Sequence, residues 1–320
     1  MNWEASFRAS VARLLGKSPD NPVVERMVHS ERMAKQDPSF RRRWLAGEID
    51  EYGKATSRNP AAVDIAFERF RQTATPALFL ERVDRPSRSR VGGLPDLPSG
   101  LGWPSPVGAP LAFLAQLDCS EFPRAVELDW LPSTGTLFFF VAPGDGMTYA
   151  GDRSAASVLF APEQGGKLES APIESVSPPR SVAFRLLPSF EPSRRYNQAG
   201  IIHPDDDLEL WRRTHELEAG RPVEINQIGG WAMSLQIDNM PLECEKIASG
   251  LQPSDPEYPE RCCHLMSQTD LGWRLLLRLD LSDMPHWLIE DGGSHVYFWV
   301  RESDARRRHF SDVILLAEAD

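Results

Sequence analysis

The chain has 320 residues, of which 41% are apolar, 25% charged and 9% aromatic; this is close to an average soluble domain and excludes a disordered or fibrous chain. Its net charge of −11, from 35 basic and 46 acidic residues, argues against a general polyanion binder, so nucleic acid is not an expected partner. The four cysteines (Cys119, Cys244, Cys262, Cys263) are too few and too irregular for a disulfide framework, and the longest apolar run, Leu137 to Ala142, is too short to span a bilayer. The opening segment carries charges where a secretory signal needs an apolar stretch, so a cytoplasmic protein with no membrane partner is expected.

At roughly 100–200 residues per domain the length allows one large or two modest domains. Charge is uneven along it: residues 1–90 hold 17 Lys and Arg against 12 Asp and Glu, and residues 91–320 hold 18 against 34. The first region reads as helices. In Asn21-Pro22, Asp37-Pro38 and Asn59-Pro60 a side-chain oxygen can cap free N–H groups while proline takes the first helical position. Apolar stripes at Trp3, Phe7, Val11, Leu14 and Leu15, at Phe40 and Trp44, and at Val63, Ala66, Phe67 and Phe70 agree with helices at about 2–15, 21–36, 38–46 and 60–72. From Ala77 onward short apolar runs alternate with Pro and Gly clusters, the texture of strands and loops. Strands are predicted at Ala77–Val83, Leu111–Leu117, Thr136–Val141, Ser157–Ala161, Val182–Leu187, Trp273–Leu279, His295–Val300 and Asp312–Ala317, with a helix at Asp205–Ala219.

An internal similarity runs through this second region. Phe113-Leu-Ala-Gln-Leu-Asp118 matches Leu275-Leu-Leu-Arg-Leu-Asp280, and Gly135-Thr-Leu-Phe-Phe-Phe-Val141 matches Ser294-His-Val-Tyr-Phe-Trp-Val300. Each pair follows a Gly-Gly, at Gly92-Gly93 and Gly229-Gly230. A duplicated β-rich unit explains the order and spacing; the alternative is that any two buried strands look alike.

The run Arg90-Val-Gly-Gly-Leu-Pro-Asp-Leu-Pro-Ser-Gly100, then Trp103-Pro104, then Pro110 to Asp118 resembles the YwqG-like family, a bacterial domain of unknown function. Matching pieces follow in order: Met240 to Glu245, Ser249-Gly250, Gly272 to Asp280, Trp287, and Asp291-Gly-Gly-Ser-His to Arg301. The resemblance covers about residues 76–320 and implies an α+β fold, mostly antiparallel and β-rich. It brings no established reaction. The chain departs from the family at Asn226-Gln-Ile-Gly-Gly-Trp231 and in an unusual, cysteine-bearing loop at 251–270. The organisation expected is a helical N-terminal region, 1–75, followed by a domain over 76–320 made of two related halves, about 76–190 and 191–320.

Several chemistries fail on spacing. Gly16-Lys17-Ser18 lacks the glycine of a phosphate loop, position 11 being Val, and Gly144-Asp-Gly146 lacks a third glycine. No Gly-x-Ser-x-Gly or Ser-x-x-Lys motif occurs, and Glu243 and Glu245 on either side of Cys244 would raise its thiol pKa. Cys262-Cys263-His264 has adjacent ligands that point apart, and His286, Glu290, Asp291 and His295 form only a loose polar set, so no metal and no cofactor are expected. Arg41-Arg42-Arg43 beside Trp44 reads as a solvated helix face. The candidate ligand-binding residues are those matching the family motifs: Gly92, Gly93, Trp103 and Gln116 in the first half, and Glu243, Trp273, Asp291 and Gly292 in the second. The expected function is a non-catalytic module binding a basic protein, as an immunity-type protein would, or a small ligand. The alternative is a hydrolase- or transferase-like enzyme with Asp291 or Glu243 as acid or base in a cleft between the halves.

Overall fold

Asparagine and proline set the start of the second helix as the sequence predicts: Asn21 Oδ1 accepts the N–H of Val23 at 2.9 Å, and Pro22 takes the first helical position. The computed structural model describes residues 3–15, 18–36, 39–46, 48–50, 60–143, 155–163, 172, 177–192, 206–221, 226–234, 236–268, 270–282 and 294–319. The chain divides into two units, one of residues 1–73 with 191–219 and the other of residues 74–190 with 220–320.

The first unit is helical: α1 (Trp3–Leu15), α2 (Pro22–Gln36), α3 (Phe40–Leu45), α4 (Pro60–Gln72) and α5 (Asp207–Leu217). Helices α1 and α2 bury Val11, Ala12, Val24 and Val28 with Phe7, and the pairs Glu4–Arg32 and Arg8–Glu25 bridge them. Val63, Ala66 and Phe70 are the buried stripe of α4. On α5, Arg213 pairs with Asp64 at 2.8 Å and lies 5.2 Å from the ring centroid of Phe67.

The second unit is built on one ten-stranded antiparallel sheet with strands β1 (Thr75–Arg82), β2 (Arg90–Val91), β3 (Ala112–Asp118), β4 (Thr136–Val141), β5 (Ala156–Ala161), β6 (Arg180–Ser189), β7 (Gln227–Ile228), β8 (Trp273–Asp280), β9 (Ser294–Arg301) and β10 (Ile314–Ala319). Their spatial order is β10-β9-β8-β7-β1-β6-β2-β3-β4-β5. Helices α6 (Met240–Ala248), α7 (Tyr258–Met266) and α8 (Glu302–Arg306) accompany it. The α+β expectation, a mostly antiparallel sheet preceded by helices, matches this architecture. Two of the strands, β2 and β7, are absent from the sequence prediction, and the segment 251–270 expected as a loop contains α7, a correction taken up below.

Every residue of β3 and β4 is buried, which is why they read as continuous apolar runs instead of alternating ones. One face of the sheet carries the main core, where Leu117, Leu137 and Phe139 join Leu277, Leu279, Val296 and Phe298. The other face carries two smaller clusters. Phe113, Phe138 and Phe140 lie with Leu97 and Leu111 beneath the 94–111 segment, and Trp273, Leu275, Tyr297 and Trp299 lie against Met240 and Cys244 of α6. Each fully buried Leu or Phe contributes about 1.5–3 kcal/mol. Bulges sit at matching places: β3 meets β4 across one between Phe113 and Ala115, and β8 meets β9 across one between Leu275 and Leu277. Across each bulge the extra residue shifts the alternation, so Phe113 and Leu275 face the smaller clusters while Ala115 and Leu277 face the main core.

Among the described residues no helix is long and apolar enough to cross a membrane.

Candidate functional site: motif residues and an arginine-rimmed groove

The motif residues of the first half are fastened to one another. Gly92 has φ +74°, and a Cβ there would stand 2.4 Å from the carbonyl oxygen of Pro178; Gly93 follows in the same left-handed conformation. Their N–H groups donate to Leu114 and Ser177, each at 2.7 Å, so the glycines close the end of β2 tightly against its neighbours. Gln116 is buried and fully engaged. Its Nε2 donates to the carbonyl of Arg88 at 3.0 Å and to Asp96 Oδ2 at 2.8 Å, and its Oε1 accepts the N–H of Asp96 at 2.8 Å. Arg90 completes the clamp by pairing with Asp96 at 2.8 Å and donating to the carbonyl of Leu94. Trp103 donates from Nε1 to the carbonyl of Leu111 at 2.8 Å and packs edge-on against Phe140, centroids 5.3 Å apart. Gln116, through Asp96, and Trp103, through Leu111, hold the 94–111 segment on the sheet.

The second-half residues are similarly committed. Trp273 Nε1 donates to Glu245 Oε2 at 2.9 Å, and the Arg301 guanidinium, 4.5 Å from the Trp273 ring centroid, pairs with the same oxygen at 2.7 Å. Glu243 is the other acid of that turn and pairs with Lys246 at 2.7 Å. Trp103 and Trp273 belong to separate apolar clusters. Asp291 and Gly292 lie outside the described residues, as do His286 and Glu290. The thiol of Cys244 is raised well above its ordinary value, chiefly by burial and then by Glu243 and Glu245. Burial also pushes the Cys119 thiol up to about 12. Neither is a nucleophile at neutral pH.

Sequence reasoning missed a buried polar cluster around β8, β9 and β10. Glu318 accepts from Ser234 Oγ at 2.7 Å, from the N–H groups of Gln236 and Ile237 at 2.9 and 2.7 Å, and from Tyr297 OH at 2.8 Å. Arg278 Nη2 lies 3.3 Å from His295 Nδ1, and its guanidinium carbon 5.7 Å from the centroid of the Tyr297 ring. Burial raises the Tyr297 phenol above its ordinary value, keeping it a neutral donor to Glu318. With its carboxylate satisfied four times over, Glu318 pins the segment 233–237 to the last strand. Among the described residues no group of three or more His, Cys, Asp or Glu side chains could hold a metal.

A concave surface lies elsewhere. A groove of about 750 Å3 runs between residues 122–133 and residues 305–308, within the size range of ligand sites. Leu128, Trp130 and Leu131 are buried along its floor, and Arg124, Arg306 and Arg308 line it. Arg306 pairs with Asp129 at 2.6 Å and with Glu302 at 2.8 Å, which raises its pKa further. Arg124 donates to the carbonyl of Ser133 at 2.6 Å. Arg308 ends α8: its N–H donates to Ala305 O and that of His309 to Asp304 O, each at 2.9 Å, the paired bonds of a Schellman cap. That cap needs a left-handed residue, normally glycine, and here Arg308 supplies it at φ +60°. It is the only non-glycine residue with positive φ among those described. No motif in the sequence points to this groove; its one signal is the run of Arg306, Arg307 and Arg308.

No curated protein matches the chain. The model of a family described as a domain of unknown function (DUF1963) matches residues 89–318, which takes in β2 to β10, the motif residues and the groove, and excludes α1 to α4 and β1. The chain is therefore a member of the DUF1963 family.

Proposed function

We propose that this chain is a non-catalytic binding module, YwqG-like and bacterial within its family, that holds a protein partner or a small ligand. The observation that carries this reading is the division of labour among its polar residues. Gln116, Trp103, Trp273 and Glu245 spend their polar atoms on the scaffold, while the groove between residues 122–133 and 305–308 presents guanidinium groups above an apolar floor and has no Cys, His or Lys among its lining residues. Such a surface binds without transforming. The acid excess of residues 91–320 supports a partner whose body is basic, steered by the long-range field. Four free cysteines, two of them buried, support a cytoplasmic setting.

We further infer that the β-rich region is two copies of one unit, β1 to β5 and β6 to β10, that exchange their first strands, which puts the boundary between the halves before β6 and not near residue 190. Strands β1 and β6 lie side by side at the centre, each pairing with the short strand of the other half, β1 with β7 and β6 with β2. Under the equivalence of β3 with β8 and β4 with β9 the bulges coincide, the Gly-Gly pairs coincide, and Asp118 and Asp280 each accept both the N–H and the hydroxyl of the serine two residues on.

The test is to recover the full chain from its host and compare its mass under native and denaturing conditions. The expected result is a stoichiometric partner or ligand released unchanged on denaturation. A subunit that carries nothing under any growth condition, or a cargo converted to product on incubation, would refute the binding reading.

A further inference from the structure

We infer that the groove between residues 122–133 and 305–308 takes an acidic peptide segment of a partner, in which a carboxylate stands beside an aliphatic or aromatic side chain. This rests on the binding-module reading and gives it a place and a chemistry. The lining carries three guanidinium groups against one carboxylate, Asp129, which Arg306 already engages. Arg124 keeps only a carbonyl partner, and Arg308 only the face of Phe160, 5.9 Å from its centroid; among the described residues neither has a carboxylate. The local sign is therefore opposite to that of the chain as a whole.

Arg308 carries the argument furthest. A Schellman cap favours glycine and tolerates asparagine, whereas an arginine held there is strained by its Cβ. Strain kept at an exposed residue whose side chain contributes little to the fold points to a task outside the fold. A guanidinium is the group best shaped to grip a carboxylate through two parallel hydrogen bonds. Below it, Leu128, Trp130 and Leu131 offer an apolar floor. Val126, 84% exposed on the rim, extends the apolar contact past the groove itself, as a protein segment requires and an enclosed small molecule does not. A nucleic acid is a poor fit, because two uncommitted arginines on a chain of charge −11 cannot offset a row of phosphates.

The test is selection of a random heptapeptide display library on the immobilised full chain, followed by fluorescence anisotropy of the enriched peptides against the parent, Arg308→Gly and Arg124→Gln. Arg308→Gly removes the guanidinium while giving the cap its favoured residue, so loss of binding cannot be put down to unfolding. Expected are sequences pairing Asp or Glu with Leu, Phe or Trp, binding about tenfold more weakly to each variant and more weakly in high salt. Enrichment of basic peptides, or of peptides that bind the variants as well as the parent, overturns the groove assignment while leaving the binding module standing. No enrichment of any sequence overturns the peptide assignment, and the native-mass comparison then decides the broader reading on its own.

Discussion

Replacing Arg308 by glycine and by alanine separates what this residue costs the fold from what it does for the groove. At φ +60° a residue with a Cβ pays about 1–2 kcal/mol relative to right-handed conformations. Glycine removes that cost but gives back about 0.5–1 kcal/mol through the greater freedom of the unfolded chain. Both substitutions lose the contact with the Phe160 ring, which at an exposed site is about 0.5 kcal/mol. Alanine keeps the strain and loses the contact, so Arg308→Ala is destabilised by about 0.5 kcal/mol, whereas Arg308→Gly comes out near the parent or slightly above it. The glycine variant should be the more stable of the two by about 0.5–1 kcal/mol, a difference of about 1–4 °C in melting temperature. Urea unfolding of the three proteins in parallel, followed by tryptophan fluorescence, measures this, and comparing two variants at one site cancels the contribution of the helical unit. If alanine proves as stable as glycine, the backbone at 308 is not strained and the case for a task outside the fold collapses.

The other expectations concern the scaffold. Gly92→Ala combines a left-handed backbone with a Cβ 2.4 Å from Pro178 O, so it should cost about 3 kcal/mol or more and release the 94–111 segment to limited proteolysis; an unchanged unfolding midpoint would contradict the close approach. Of the four thiols, Cys262 and Cys263 on α7 should be alkylated by iodoacetamide in the native protein, while Cys119 and Cys244 react only after denaturation, which peptide mass mapping reads directly. Hydrogen bonding from Arg274 holds the Asp270 carboxyl below its ordinary 3.8, so its contribution to stability is complete above that value and fades as pH falls through the lower folded value. Acid titration of Asp270→Asn should accordingly show a shallower loss of stability below about pH 4 than the parent, and parallel curves would refute the assignment.

How much of this was legible depended on whether a residue's role leaves a periodic trace. Helix α2 was, because Asn21 and Pro22 mark its start, and α4 was, because Val63, Ala66 and Phe70 repeat at helical spacing. So were β3, β4, β8 and β9, whose burial on both faces makes dense apolar runs. Strands β2 and β7 were not, since two residues carry no period and are defined only by what lies beside them. Helix α7 was missed although Tyr258, Cys262 and Leu265 share one face at helical spacing, because that stripe is short, none of it is fully buried, and prolines at 253, 256 and 259 give the segment the texture of a loop. The groove left almost no trace, because its walls are brought together from residues 122–133 and 305–308 by the sheet and its key feature is a backbone angle. The motif, conversely, is conspicuous in the sequence, and holding the irregular 94–111 segment on the sheet makes specific demands of Gln116 and Trp103. Such demands are as strict as those of a binding site and look the same in one dimension.

The proposed duplication sharpens that distinction. If β3 and β4 correspond to β8 and β9, then Gln116, Thr136, Phe138 and Ala161 stand where Arg278, His295, Tyr297 and Glu318 stand in the other half. One backbone plan thus carries a neutral set on one side and an ionisable set on the other. Yet both serve the same end: Gln116 fastens the 94–111 segment through Asp96, and Glu318 fastens 233–237 through its backbone N–H groups. A fully hydrogen-bonded carboxylate can do this as well as an amide, and removing either would leave its partners buried and unpaired. The buried ionisable cluster therefore reads as a clasp despite its chemistry, and the groove, where Arg124 and Arg308 engage no carboxylate among the described residues, is where the proposed recognition is placed.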